Sequence, residues 1–366
     1  MKFADGAVPP SHERPMAATD VSVLLVFFNR PETFSQVFAQ VRQARPARLF
    51  LYQDGPRGEQ DAGGVRACRE IAAGVDWECD VRTCYLAKNQ GCDPTMYRAV
   101  TWALSMTDKL VILEDDCVPS LSFFPFCKEM LDRYEHDTRV AMVAGFNTDE
   151  VTPDAEADYF FTSVFSIWGW ATWRRVAEGW DSSYTFMHDE YNRRQLEALI
   201  RSRRYRPDTM RIFREHSRSG KEYFETIVQA AMLLGSGLAV MPSHNLISNV
   251  GFSGGTHYYA APLQTMPRRL RRMFTMQRGE LDFPLRHPSR VCENTGYKDR
   301  HYRRNAWGHP WIKAGYSLEE LLLNLRYGRF RAIGRAVRQR LARWKEGIAG
   351  WRLPFTRSAG SAIRRE

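Results

Sequence analysis

The sequence has no glycine-rich phosphate loop. Neither Gly-x-Gly-x-x-Gly nor Gly-x-x-x-x-Gly-Lys occurs in its 366 residues, which argues against a dinucleotide dehydrogenase or a P-loop enzyme. It lacks long apolar runs as well. None approaches the ~18 residues that cross a bilayer. The early run Val21–Phe28 is short, and no small-residue cleavage site follows it, so it reads as a strand rather than a signal peptide. Paired cysteines are missing too. The seven cysteines are scattered without Cys-x-x-Cys or Cys/His metal spacing, which favours free, mostly buried thiols in a reducing compartment over a disulfide framework. There is no internal repeat.

What is present is ample core material and an uneven charge. Apolar residues make up 44% and aromatics 13% of the chain, enough for one large α/β domain or two ordinary ones. The net charge is +10. From Thr265 onward, 24 Lys and Arg stand against 8 Asp and Glu, a balance of +16, so the body before it is mildly acidic. Such a tail commonly meets anionic lipid or nucleic acid. Phe330, Ile333, Val337, Leu341, Trp344, Ile348 and Trp351 recur at helical spacing, with Arg331, Arg335, Arg338, Arg340 and Arg343 between them. A basic face beside a Trp-bearing apolar face is the pattern of a helix lying in a membrane interface. Packing on the protein's own body is the other reading.

Along the chain, residues 1–19 read as a loose, proline-containing leader. Strands are expected at Val21–Phe28, at Arg48–Asp54 and around Asp80–Tyr85. Helices are expected after Pro31, over Val65–Ala73 and over Thr95–Ser105. The alternation predicts a doubly wound, mostly parallel sheet. Later, Arg139–Asn147 reads as a strand, Asp189–Arg206 and Tyr223–Leu234 as helices, and Tyr159–Thr172 as an aromatic, glycine-containing stretch, while Leu238–Met241 leads through Pro242 into the stretch from Asn245 to His257.

The chemistry centres on Lys109-Leu-Val-Ile-Leu-Glu-Asp-Asp-Cys-Val-Pro119. An apolar strand runs into Glu114, Asp115 and Asp116. Adjacent carboxylates repel one another, and a hard divalent cation takes carboxylate oxygens together with substrate phosphates. The plainer alternative is a strand-to-helix turn in which one aspartate caps the next helix. Three strand ends present Asn29/Arg30, Asp54/Arg57 and this acidic triplet to one edge of a parallel sheet, where ligands bind in open α/β folds. A guanidinium suits a diphosphate. The constellation fits a nucleoside diphosphate site built without a glycine-rich loop.

With these residues in hand, the sequence resembles nucleotide-sugar-dependent glycosyltransferases of the GT-A fold. The nearer likeness is to bacterial hemolysin-like sugar transferases and N-acetylglucosaminyltransferase I. The matching pieces are Phe-Asn-Arg-Pro at 28–31, Gln-Asp-Gly at 53–55, Trp-Ala-Leu at 102–104, Glu-Asp-Asp at 114–116 with Ser-Phe-Phe at 122–124, Trp-Gly-Trp at 168–170 and Asn-Leu-Ile-Ser-Asn-Val-Gly-Phe at 245–252. They span about residues 20–257. The resemblance implies that Arg30 faces the donor's ribose or diphosphate, Asp54 the base and Asp115 the ribose, with Asn29 and Glu114 in the same donor site. Lys88, Asn89 and Gly91 would line it. Asp116 would be the direct ligand of Mn2+ or Mg2+, and His257 a second metal ligand or else a plain loop histidine. Trp168, Gly169 and Trp170 would wall the sugar and acceptor site, while Trp173 is expected in the core. Glu225 would be the base of an inverting transfer, with Glu222 as the alternative. The family's usual residue there is Asp, so this Glu departs from the pattern.

The expectation is therefore an α/β, GT-A-like enzyme over residues 20–265, with a basic, partly helical extension over 266–366. It would move a sugar from a nucleoside diphosphate sugar to a hydroxyl of a glycan or glycolipid. It would work in the cytoplasm, peripherally on the membrane's inner face if the tail binds anionic lipid. The rivals are a nucleotidyltransferase on a related sheet and a non-enzymatic protein that binds an anionic polymer.

Overall fold

The structure is a computed structural model and describes residues 16–200, 205–252 and 263–345, with side chains to 338. Its first half alternates strictly: β1 (Thr19–Phe27), α1 (Pro31–Ala44), β2 (Pro46–Gln53), α2 (Glu59–Ala72), β3 (Asp80–Tyr85), α3 (Cys92–Leu104) and β4 (Lys109–Glu114). The apolar runs of β1, β2 and β4 are buried almost throughout, as strands covered by helices on both faces must be. Pro31 opens α1, where its missing N–H costs nothing.

The chain then forms β5 (Cys117–Pro119), α4 (Phe123–Arg133), β6 (Val140–Ala144), β7 (Tyr159–Thr162), β8 (Trp170–Trp173) and α5 (Arg174–Ala177). After these come α6 (Glu190–Leu199), α7 (Arg206–Ser219), α8 (Phe224–Leu234), β9 (Leu238–Pro242) and β10 (Ile247–Asn249). The described chain closes with α9 (Arg268–Thr275), α10 (Thr295–Arg304), α11 (Pro310–Arg326) and α12 (Phe330–Lys345). Eight strands form one sheet in the order β3-β2-β1-β4-β8-β6-β9-β7, and β10 pairs with β5 in a small second sheet. β3, β2, β1 and β4 are mutually parallel. β8 runs antiparallel to both β4 and β6, and β7 antiparallel to β9. The expected α/β fold with a mostly parallel central sheet is thus what the chain forms.

The expected boundary at residue 265 does not coincide with a break in packing. Met266, Leu270, Met276, Leu281, Leu285, Tyr297 and Ala306 are all buried. Glu280 accepts from the N–H groups of Leu121 (3.1 Å) and Ser122 (2.7 Å) at the start of α4. Arg300 and Arg304 both pair with the buried Asp149. The body therefore extends to about Trp307, and only α11 and α12 lie peripherally. Trp173 is in the core as expected, its indole N–H donating to Leu131 O at 3.0 Å. No helix among the described residues is long and apolar enough to cross a membrane.

Candidate functional site

Because β1, β2 and β4 run parallel and pair in register, their carboxyl ends share one edge. Arg30 stands just beyond β1 and Glu114 ends β4, with Asp115 and Asp116 following. The Arg30 guanidinium spans both aspartates. It is ion-paired and hydrogen-bonded to Asp115, and its Nη1 lies 2.9 Å from Asp116 Oδ2. Asp115 is buried and also accepts the Phe28 N–H at 3.2 Å. Burial holds its carboxyl above the ordinary range despite Arg30. Burial works against charge on Arg30 as well, yet the two aspartates keep it firmly protonated. A single cation bridging adjacent carboxylates answers the repulsion that the sequence set up.

Glu114 differs from its neighbours. Among the described residues it has no hydrogen bond or ion pair, although its side chain is only half-buried. Crowding, then Asp116 and Asp115, push its carboxyl well above the usual range. Asp116 is closed in from behind by β10 and the turn after it. Its own C=O accepts the Val250 N–H at 2.9 Å. A Cβ on Gly251 would lie 2.1 Å from Asp116 Oδ2, so a side chain there would push that carboxylate aside.

Asp54 is placed differently from a base-reading residue. Its buried carboxylate accepts from Gly55 N–H (2.8 Å), Gln90 N–H (2.8 Å), Gly91 N–H (3.1 Å) and Asn89 Nδ2 (2.8 Å). It is the anchor of the 88–91 loop, which leads into α3. Gly55 lets that loop close, since a Cβ there would meet the Lys88 backbone at 2.4 Å. Asn29 is likewise committed: its Nδ2 donates to Asp61 Oδ1 at 2.7 Å, on α2. Arg57 pairs with the same Asp61 and lies over the Phe28 ring at 5.1 Å.

The opposite wall comes from two helix N-termini. Cys92 and Asp93 begin α3, and Glu225 lies in the first turn of α8. Asp93 Oδ1 accepts the Phe224 N–H at 3.2 Å and so ties the two helix starts together. Asp93 also lies within electrostatic reach of both Glu114 and Glu225. Glu225 keeps contact with solvent yet is densely surrounded, and crowding followed by Asp93 raises its carboxyl above the ordinary range. Cys92 is also exposed, and its thiol is pushed well up by crowding and then Glu114. Asp93 thus stands electrostatically between the sheet-edge acids and Glu225. Glu222, the alternative base, pairs instead with Arg98 at 3.2 Å.

The aromatic pair splits. Trp168 is half-buried and packs against Phe146 (4.8 Å between centroids) and Phe274 (5.7 Å). Trp170 is fully buried against Trp180 and Phe224, so it supports the start of α8 from beneath and does not wall a sugar site. Between them Gly169 turns with φ +65°, and Ile247 leaves no room for a Cβ there. Strand pairing fixes Trp170 inward, a constraint that the Trp-Gly-Trp spacing alone does not reveal. His257 lies outside the described residues. Residues that sequence reasoning missed are Asp93, Cys92 and Gly251. Asp93, in a Cys-Asp-Pro helix start, carried a legible signal.

Neither protein-family models nor curated proteins give a match. Solved structures match over part of the chain. UDP-glucose pyrophosphorylase complexed with UDP-glucose is 8% identical, covering 43% of this chain and 78% of its own, with a TM-score of 0.27. The inositol-1-phosphate CTP transferase from T. maritima is 9% identical over 44% and 74%, with a TM-score of 0.27. The 4-diphosphocytidyl-2C-methyl-D-erythritolsynthase from Anaerococcus prevotii is 6% identical over 46% and 77%, at 0.26. At this distance the functional reading rests on the chain's own residues.

Proposed function

We propose that this protein is a nucleotide-sugar-dependent glycosyltransferase. The observation that carries the reading is the acid-lined floor at the sheet edge. Arg30 pairs with Asp115 and Asp116, Glu114 has no hydrogen bond or ion pair among the described residues, and Glu225 at the start of α8 shares Asp93 with Glu114 as an electrostatic neighbour. Hard carboxylate oxygens on Asp116 and Glu114 suit Mn2+ or Mg2+, which binds through one or two carboxylates plus phosphate. When bound, the cation would offset charge on the departing diphosphate.

The chain's own residues supply the rest. Arg30 orients the diphosphate, and Asp54 shapes the donor pocket through the 88–91 loop rather than by touching the base. Trp168 offers an aromatic face to the sugar's apolar C–H face. Glu225, its proton affinity raised, takes the proton from the acceptor hydroxyl as that oxygen attacks the anomeric carbon, giving inversion. The acceptor is a hydroxyl of a glycan or glycolipid.

Calorimetric titration of UDP and GDP, with and without Mn2+, tests this. One nucleotide should bind only with the metal, and Asp116→Ala should abolish binding. Absence of metal-dependent binding to either nucleotide by the folded wild type would sink the reading. A nucleotidyltransferase would also bind nucleotide at such a floor. It would release pyrophosphate from a nucleoside triphosphate and a sugar phosphate, whereas the proposed enzyme releases nucleoside diphosphate.

A further inference from the structure

The helix α11 is oriented against the usual rule for a surface helix. Its contacts with the body are polar. Lys313 Nζ lies 2.9 Å from Asp208 Oδ2, the Tyr316 hydroxyl donates to Arg304 O at 2.9 Å, and Glu319 accepts the Arg268 N–H at 2.7 Å. These positions form one face at helical spacing. On the opposite face stand Trp311, Leu318, Leu322 and Leu325, all exposed, Trp311 to 88%. No residue of α11 is buried. A helix of a protein surrounded by water ordinarily buries its apolar stripe and shows water its polar one.

The next helix repeats the pattern with added charge. Gly328, at φ +66°, turns the chain into α12, which packs against α11. Phe330 and Val337 are exposed on one side of α12, and Arg331, Arg335 and Arg338 are exposed beside them. Residues 321–338 hold five arginines and no acidic residue.

We propose that α11 and α12 together form a docking surface for an anionic lipid bilayer. The leucines, Phe330 and Trp311 enter the boundary between headgroups and acyl chains, and the arginines meet the anionic headgroups. Charge complementarity selects this occupant over the others. A second copy of the chain would bring the same arginines face to face across a two-fold axis. A nucleic acid would satisfy the arginines but leave the leucine stripe in water. Position agrees with the lipid surface. α9 contacts α11 through Arg269 over the Tyr316 ring at 5.2 Å, and its Phe274 packs on Trp168 at the candidate site. The docking surface is therefore one helix away from the catalytic floor.

The test is sedimentation of the full chain with phosphatidylcholine vesicles, with and without one-third phosphatidylglycerol. The wild type should partition onto the anionic vesicles only, and high salt should release it. Arg331→Gln, Arg335→Gln and Arg338→Gln should each weaken partitioning about fivefold. Leu322→Ser should weaken it by about tenfold or more. Thermal melting confirms that each variant is folded, which is expected because none of these side chains is buried. The proposal is overturned if the wild type ignores anionic vesicles, binds neutral ones equally, or is unaffected by the arginine changes. It is also overturned if the surface is occupied by a self-dimer that vesicles do not disrupt, or if an oligonucleotide binds more tightly than the vesicles.

Discussion

Glu225 combines two properties that oppose each other. Its carboxyl holds a proton more tightly in the folded chain than in the unfolded one, where a glutamate titrates near 4.3. Between those two values the native state binds more protons, so stability falls as pH rises through that window. The base needs the deprotonated form, so turnover should rise over the same window. Glu225→Gln should therefore lower kcat by about 10²- to 10⁴-fold while leaving Tm at neutral pH equal or higher; a lower Tm would assign Glu225 a structural role instead. Gly251→Ala acts on the neighbouring group. A methyl 2.1 Å from Asp116 Oδ2 forces that carboxylate aside. A displacement near 1 Å should cost about a hundredfold in kcat/KM, with unfolding midpoints close to wild type. The identities at 114–116 were legible in the sequence because three acids after an apolar run are rare. The need for glycine at 251 was not legible, because it depends on a turn that follows a strand of another sheet.

Asp54 shows how an element can carry a site. One carboxylate organises the 88–91 loop, and that loop delivers the start of α3, including Asp93. Asp54→Ala would strand the N–H groups of Gln90 and Gly91. The loss should be about 2–3 kcal/mol of stability, with a raised KM for the donor and a smaller fall in kcat. Hydrogen exchange should show faster opening of 88–93 than in wild type; unchanged exchange there would refute the anchor role. The sequence marked Asp54 as a strand-end acid but could not show its partners Asn89, Gln90 and Gly91, which lie more than thirty residues on. The strands themselves were legible to different degrees. β3 is legible around Asp80–Tyr85, ahead of the loop at Lys88–Gly91, and α8 is legible to within one residue from its periodicity. β7 and β8 were read only as an aromatic stretch. Both are short and buried on both faces, so neither shows the alternation that identifies a strand.

At the scale of the molecule, the body is larger than its charge pattern suggested. The jump to positive charge near 265 marks arginines such as Arg300 and Arg304, which are spent on a buried aspartate rather than on an outside partner. A chain ending after residue 265 should fail to fold, since it loses Glu280, Tyr297 and both arginines. A chain ending after residue 309 should melt cooperatively within a few degrees of the full protein; circular dichroism distinguishes the two outcomes. Two histidines, His216 buried and His301 half-buried, should make the body acid-sensitive. Burial lowers His216 and His301 to about 4, against about 6.5 in the unfolded chain. The unfolded state therefore binds more protons between these values, and stability is lost as pH falls from about 6.5 toward 4. The Tm should drop steeply over that range, and less steeply in His216→Gln and His301→Gln. The central seam of the sheet has a different consequence, for biogenesis. The ribosome completes β1 to β4 well before β8, the strand that closes the far edge of β4. Until then Leu110, Val111, Ile112 and Leu113 form an apolar open edge on which nascent chains can pair with one another. Changes that slow the arrival of β8 should therefore lower the soluble yield from cells, while the molecules that do mature keep full specific activity.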